Sequence, residues 1–203
     1  VGSTTDTSVQ AALLKGMLLG LEGRRSVHAP VGWPALSNTL ACSTSAPVRQ
    51  HALALSQLFG DTMAVASALE CVQDSSMAAA QRCSTLSLLL GQQNQEASQL
   101  LKVLIDEPAL TLSAIRGYAV VRNDEAPAVL ISRYSKLNTQ EQRAVVETLA
   151  SRKAYAEALL EALKMNQIQS SSIPVQVARS LKDLLGKKFT NVYGALPVVG
   201  AER

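Results

Sequence analysis

Apolar residues recur at helical spacing in one segment after another along this chain. Residues 1–8 are polar and small and predict a frayed terminus, after which Leu13, Leu14, Met17, Leu18 and Leu21 predict a first helix over 9–23. Ser26 to Gly32 holds Pro30 and Gly32 without a period, as a surface connection does. From Trp33 onward five helical pairs are predicted: 33–43 with 46–59, 61–73 with 76–90, 94–105 with 108–121, 125–136 with 139–150, and 152–165 with 173–185. Their punctuation is chemical. Ser45 stands as a cap before Pro47, and Gly60 as a stop; Asp61 and Ser75 stand as caps and Gly91 as a terminator. Asp106 and Pro108 repeat the cap-then-proline start, Asn138 and Glu141 have the spacing of a capping box, and Ser172 precedes Pro174 with Gly186 closing the pair.

The second helices start near 46, 76, 108, 139 and 173, steps of 30, 32, 31 and 34 residues. Two amphipathic helices cannot cover their own apolar faces, so pairs repeated at such a step stack on their neighbours. The expected fold is all-α, a right-handed α-solenoid of about five HEAT-like pairs. The last pair carries the stripes that stacking needs: Tyr155, Leu159, Leu160 and Leu163 on one helix, Val177, Leu181, Leu184 and Leu185 on the other. Many alanines, with Gly117 inside a predicted helix, allow close approach. The organisation is read as an N-terminal helix and connecting loop over 1–30, a repeat domain over 31–186 and an exit segment over 187–203, in which Lys187, Lys188 and Phe189 begin a short helix.

Composition sharpens the picture. Among 203 residues there are 30 Leu and 29 Ala but one Trp, four Tyr and two Phe, a balance that favours helices over sheets. With 47% apolar and 17% charged residues and a net charge of +3, neither a disordered chain nor a strongly electrostatic nucleic-acid binder is expected. No apolar run approaches the roughly 20 residues that span a bilayer, so no membrane insertion is expected. Val1 opens the chain without a basic n-region, which reads as a fragment or processed chain. Cys42, Cys71 and Cys83 do not resemble a disulfide framework or a zinc site; they are read as small core residues, with a Cys71–Cys83 bridge as the alternative.

The chemistry of a catalyst is missing from the motifs. There is no Gly-x-Ser-x-Gly elbow, no phosphate-cradling glycine loop, no His-Glu-x-x-His and no Cys-x-x-Cys-His. His28 falls in the loop and is read as solvated, and His51 early in a helix as a packing residue. The acidic pairs Asp106–Glu107 and Asp124–Glu125 sit at connections, where negative charge interacts favourably with a helix start. The basic pairs Arg24–Arg25 and Lys187–Lys188 are read as helix-end cations without the interleaved aromatics of a nucleic-acid site, and Gln92 to Gln95 as a solvated turn. Trp33 between Gly32 and Pro34 is read as a plug on the end of the apolar core; an exposed Trp would mark a binding hot spot. No residue is assigned as catalytic, cofactor-binding or metal-binding.

The stretch Val31-Gly32-Trp33-Pro34-Ala35-Leu36, with Ala46 to Leu53 and Leu58-Phe59-Gly60-Asp61, resembles the HEAT-type helical region of planctomycete-type haem-binding, membrane-bound dehydrogenase-like multidomain proteins. Tyr134 to Arg143, Leu149-Ala150-Ser151-Arg152, Ala158 to Leu163 and Ile173-Pro174 to Leu181 resemble that family's terminal repeats. The haem-attaching Cys-x-x-Cys-His lies outside this chain, so no family haem or catalytic residue transfers to it. The resemblance implies an exported protein, periplasmic or in the cell envelope, in which these helices space a propeller-type dehydrogenase-like domain from a c-type cytochrome domain. The expected function is a non-catalytic scaffold or protein-interaction module. The alternative is an independent peptide- or protein-binding solenoid; an enzyme reading would need perturbed carboxylates in a pocket.

Overall fold

The structure is a computed structural model and describes residues 1–24, 27–59 and 63–194. The predicted roles of Arg25, Ser26, Gly60, Asp61 and residues 195–203 lie outside these. The described residues are all-α, with twelve α-helices, two 3₁₀ turns and no strand. The chain divides into two compact units, Val1–Ala97 and Ser98–Arg203.

In the first unit α1 (Thr7–Gly20) starts two residues before its predicted bound. Asp6 sets that start, its carboxylate accepting the N–H groups of Ser8 at 2.8 Å and Val9 at 3.3 Å. Helices α2 (Trp33–Ala41), α3 (Ala46–Phe59), α4 (Met63–Gln73) and α5 (Ala79–Gly91) follow. Each of α1, α2 and α3 packs on the helix after next, and α2 and α4 also pack on the helix that follows. Helices α1, α2 and α3 share a core of Leu14, Trp33, Leu40, Val48, Ala52 and Leu55. Trp33 is the buried plug expected: its Nε1 donates to Ser56 Oγ at 3.0 Å and its ring meets Phe59 edge-on at 5.0 Å.

Two turns correct the predicted punctuation here. Ser75 does not cap α5, which begins only at Ala79, because Asp74 holds the turn instead and accepts the Ser76 N–H at 2.9 Å. Gly91 is the last residue of that helix, but the left-handed turn is not made there. Gln93 takes the left-handed conformation (φ 59°) two residues later. Asn94 then starts α6 (Gln95–Leu104), its side chain accepting the Ala97 N–H at 2.8 Å.

The second unit holds α7 (Thr111–Val120), α8 (Ala126–Arg133), α9 (Thr139–Leu149), α10 (Lys153–Lys164), α11 (Val175–Leu185) and α12 (Lys187–Tyr193). Helix α7 packs on α9, α8 on α10, and α10 on α9, α11 and α12. The capping box is present: Asn138 accepts from Gln140 and Glu141 at 3.0 Å each, and Glu141 accepts the Asn138 N–H at 3.0 Å. Asp106 and Pro108 do not open α7, which starts three residues after Pro108 behind Leu110; the Asp106 carboxylate is taken by Arg133. The stripes on α10 and α11 are buried as predicted, except Leu184, 36% exposed. The second helices thus start at Ala46, Ala79, Thr111, Thr139 and Val175, steps of 33, 32, 28 and 36 residues, less even than the sequence suggests.

One device recurs at equivalent places. The fourth residue of α3 is Arg49, of α5 Arg82 and of α9 Gln142, and each reaches back to the carboxyl end of the helix before it. Arg49 donates to Ser43 O, Arg82 to Val72 O at 2.8 Å and Gln142 to Tyr134 O at 3.1 Å. A helix end leaves its last carbonyls unpaired, and a donor from the next helix satisfies one while fixing the angle between the two. Burial lowers the Arg49 pKa, and the carbonyl at the negative end of α2 offsets part of that cost.

The cysteines are not three free core thiols. Cys42, at the end of α2, is bonded to Cys71 on α4, with Cα atoms 5.9 Å apart, so Cys71 does not pair with Cys83. Cys83 stands outside this disulfide and is partly buried. Packing of alternate helices α2 and α4 brings the bonded pair together.

Candidate interaction surface

The polar face of α10 is the place in the second unit where grooves and charge coincide. Tyr155, Ala156, Leu159, Leu160 and Leu163 are buried, so the same helix turns Glu157, Glu161 and Lys164 outward. Between α10 and α12 lies a groove of about 730 Å³ lined by Glu157, Ala158, Glu161, Lys164, Lys188 and Asn191, among others. Between α8 and α10 lies a second, of about 520 Å³, lined by Asp124, Pro127, Ile131, Ala154, Tyr155 and Ala158. Ala158 belongs to both, so a small side chain on α10 makes one strip across three helices.

The strip is firmly built. Tyr155 holds its α8 end: the hydroxyl donates to Asn123 O at 2.7 Å and accepts the Asn123 N–H at 3.1 Å. Arg152 lies over the Tyr155 ring at 5.5 Å and donates to Ala119 O at 2.8 Å, closing the end of α7. Glu161 and Lys164 pair at 2.7 Å on the strip itself. At the other end Phe189 is fully buried and stacks on Tyr193 at 4.9 Å, which seats the short α12.

The acidic pairs do more than face helix starts. Asp106 accepts two parallel bonds from Arg133, at 2.7 and 2.6 Å, and that arginine holds its carboxyl below the usual aspartate range. Asp124 pairs with Arg122 at 3.4 Å and Glu125 with Lys102 at 3.1 Å. Lys187 and Lys188 begin α12, and Lys188 lines the strip. His28 is exposed beside Met17, Leu21 and Phe59, while His51 is half-buried with an unpartnered Nδ1.

Among the described residues no three His, Cys, Asp or Glu side chains converge as a metal site would need. No helix among them is long and apolar enough to cross a membrane. A small cavity lined by Ser37, Arg49 and Thr85 has about 10 Å³ for the centre of a water, and buried Thr85 Oγ1 has no protein partner, so one structural water fits there. Sequence reasoning placed no residue on the α8–α10–α12 strip. The available signal was the charged complement of the α10 stripe, Glu157, Glu161 and Lys164 at intervals of three and four. Comparison of the chain with protein-family models, with curated proteins and with solved structures finds no match in any of the three.

Proposed function

We propose that this chain is a non-catalytic helical-repeat module, HEAT-like in its pairs and solenoidal in its stacking, that docks a protein partner along α8, α10 and α12. The observation that carries this reading is the strip itself: two grooves that meet at Ala158 and present carboxylates beside lysines. Such a rim selects by charge while Ile131 and Val192 supply apolar contact. The recurring donor at the fourth position of α3, α5 and α9 supports the repeat reading, because a common ancestor unit explains an equivalent bond at equivalent places. The test is site-specific photo-crosslinking in the source organism. A benzophenone at Glu157 should give a discrete adduct that Glu161→Lys weakens, whereas one at Arg143 on α9 should not; equal labelling from both positions overturns the assignment.

A second reading has its own support. The Cys42–Cys71 bond suits an oxidising compartment and so an exported protein; that the module there spaces a propeller-type dehydrogenase-like domain from a c-type cytochrome domain rests on the resemblance of its repeats alone. The parent protein then shows a haem absorbance band when expressed with the residues that follow Arg203. A parent sequence with no Cys-x-x-Cys-His removes this reading and leaves the docking module standing.

A further inference from the structure

The corner between α11 and α12 gathers positive charge that no carboxylate of the described chain balances. Lys182 lies in the last turn of α11, and Lys187 and Lys188 open α12, so three lysines fall within seven residues around Gly186. All three are exposed, as is Arg179 one turn earlier, and among the described residues none of the four pairs with a carboxylate. Elsewhere in the same unit Lys102, Arg122, Arg133, Arg143 and Lys164 each do. Adjacent Lys187 and Lys188 stand within one Debye length, about 10 Å at 0.1 M salt, so their potentials add.

Helix electrostatics account for only one of the three. Lys182 faces the negative end of the α11 dipole, where a cation is favourable. Lys187 and Lys188 stand in the first turn of α12, where a carboxylate is favourable and a cation is not. The corner also holds its shape. The Gly186 N–H donates to Lys182 O at 2.7 Å, Thr190 Oγ1 donates to Lys187 O at 3.2 Å, and Phe189 is fully buried, so the backbone under the lysines is fixed.

We infer that this corner takes an acidic segment of the protein partner that docks on the strip, an inference that rests on the docking reading above. Lys188 belongs both to the corner and to the groove between α10 and α12, so a chain lying in that groove runs directly onto the lysines. The groove supplies what a peptide needs besides charge: Leu160 and Val192 as an apolar wall and Asn191 as a side-chain amide. The surface is thereby polarised, with Glu157 favouring a cation of the partner and Lys188 a carboxylate. A bilayer fits less well, because Val177, Leu181 and Leu185 of α11 are buried and leave no apolar face to insert. Nucleic acid finds no open stacking platform, since Phe189 is buried and Tyr193 lies against it.

Octaglutamate serves as the probe. Titrated into the isotope-labelled full chain at about 50 mM salt, it should shift the amides of Lys182, Lys187 and Lys188 most, and bind at least about tenfold more weakly at about 300 mM. Lys187→Glu with Lys188→Glu puts carboxylates at a helix start, so helical circular dichroism should stay intact while octaglutamate binding weakens at least about tenfold; Lys187→Arg with Lys188→Arg should keep it within about twofold. No binding, or shifts spread evenly to Lys136 and Lys153, overturns the inference. So does binding about tenfold tighter, at equal charge, to an oligothymidylate or to phosphatidylserine vesicles. In the source organism the double reversal should cut the Glu157 photo-adduct at least about fivefold. An adduct unchanged by the reversal overturns the acidic segment and leaves the docking strip standing. A parent chain that gives no Glu157 adduct fails the docking reading itself, a separate failure from that of the corner, which the titration decides.

Discussion

Arg82 and Val72 are joined by a hydrogen bond of 2.8 Å between buried residues, the arginine Nε–H donating to a carbonyl in the last turn of α4. The contact links two consecutive helices end to side, and Arg49 makes the equivalent one between α3 and the end of α2. A guanidinium with its aliphatic stem under the core satisfies a carbonyl that the helix itself cannot, and completes the negative end of the dipole. Truncation therefore removes both packing and a charge-assisted bond. Arg82→Ala should lower unfolding stability by about 2–4 kcal/mol, read as a shift in urea midpoint at unchanged slope, and Arg82→Lys should recover only part of it. A loss under about 0.5 kcal/mol would show that the bond is incidental.

The Cys42–Cys71 bond closes a separation of 29 residues across α2, α3 and α4. Chain-entropy arguments assign a closed loop of that length about 3–4 kcal/mol of stabilisation through the unfolded state. Cys42→Ser should lose stability of this order, and Cys83→Ser much less. Thiol titration in denaturant gives the direct check: one reactive thiol per chain before reduction, three after. Three thiols before reduction would refute the pairing.

Tyr155 joins α10 to the turn before α8 by one donated and one accepted bond, both to the backbone of Asn123. Tyr155→Phe keeps the buried ring and removes only the hydroxyl, leaving two backbone groups without their partner. The expected cost is about 1–3 kcal/mol. The amide proton of Asn123 should lose most of its exchange protection while amides in the middle of α9 keep theirs, and uniform loss in both would mean global destabilisation instead.

Acid should act on Asp106. Its folded-state pKa lies below the unfolded value, chiefly through the two bonds from Arg133, so the folded state holds fewer protons there than the unfolded state does. The stabilisation is present above the ordinary aspartate pKa, about 4, and is lost as pH falls through the depressed folded value. The pair is largely solvated, Asp106 being 60% exposed, so the effect is modest. Asp106→Asn should lower stability slightly near neutrality, where the stabilisation is present, and flatten the stability profile below about pH 4, where the variant and the parent converge. A variant as acid-sensitive as the parent would deny the pair any role.

Tyr118 sets a limit at the alkaline end. It is 1% exposed, and burial pushes its hydroxyl up to about 12. Its unfolded form ionises first, so stability is full below about pH 10 and falls as pH rises towards the folded value. In an alkaline titration followed at 295 nm, ionisation of Tyr118 should coincide with loss of helical signal, and Tyr118→Phe should delay that loss. Ionisation of all four tyrosines before any unfolding would contradict the burial.

Helices were legible because periodicity and caps are local. The bounds of α3 come out as predicted, and the capping box at Asn138 is present because its two partners are three residues apart. The misplaced starts of α5 and α7 have one cause. Ser75 and Asp106 are competent caps, but Asp74 offers an equivalent carboxylate one residue away, and Arg133 binds Asp106 more strongly than backbone amides can. The strip along α10 was half legible: its buried stripe could be read, whereas the grooves beside it exist only once α8 and α12 are in place.

By itself the amino-acid sequence determined that the described chain is helical and where most of its turns fall, since spacing, glycine, proline and short polar side chains act within a few residues. Tertiary structure alone decided which cysteines join, which carbonyls the arginines close and which lysines of α11 and α12 are left without a carboxylate. Those outcomes depend on helices separated by tens of residues coming into contact, and a sequence pattern records the demand for burial without naming the surface that meets it.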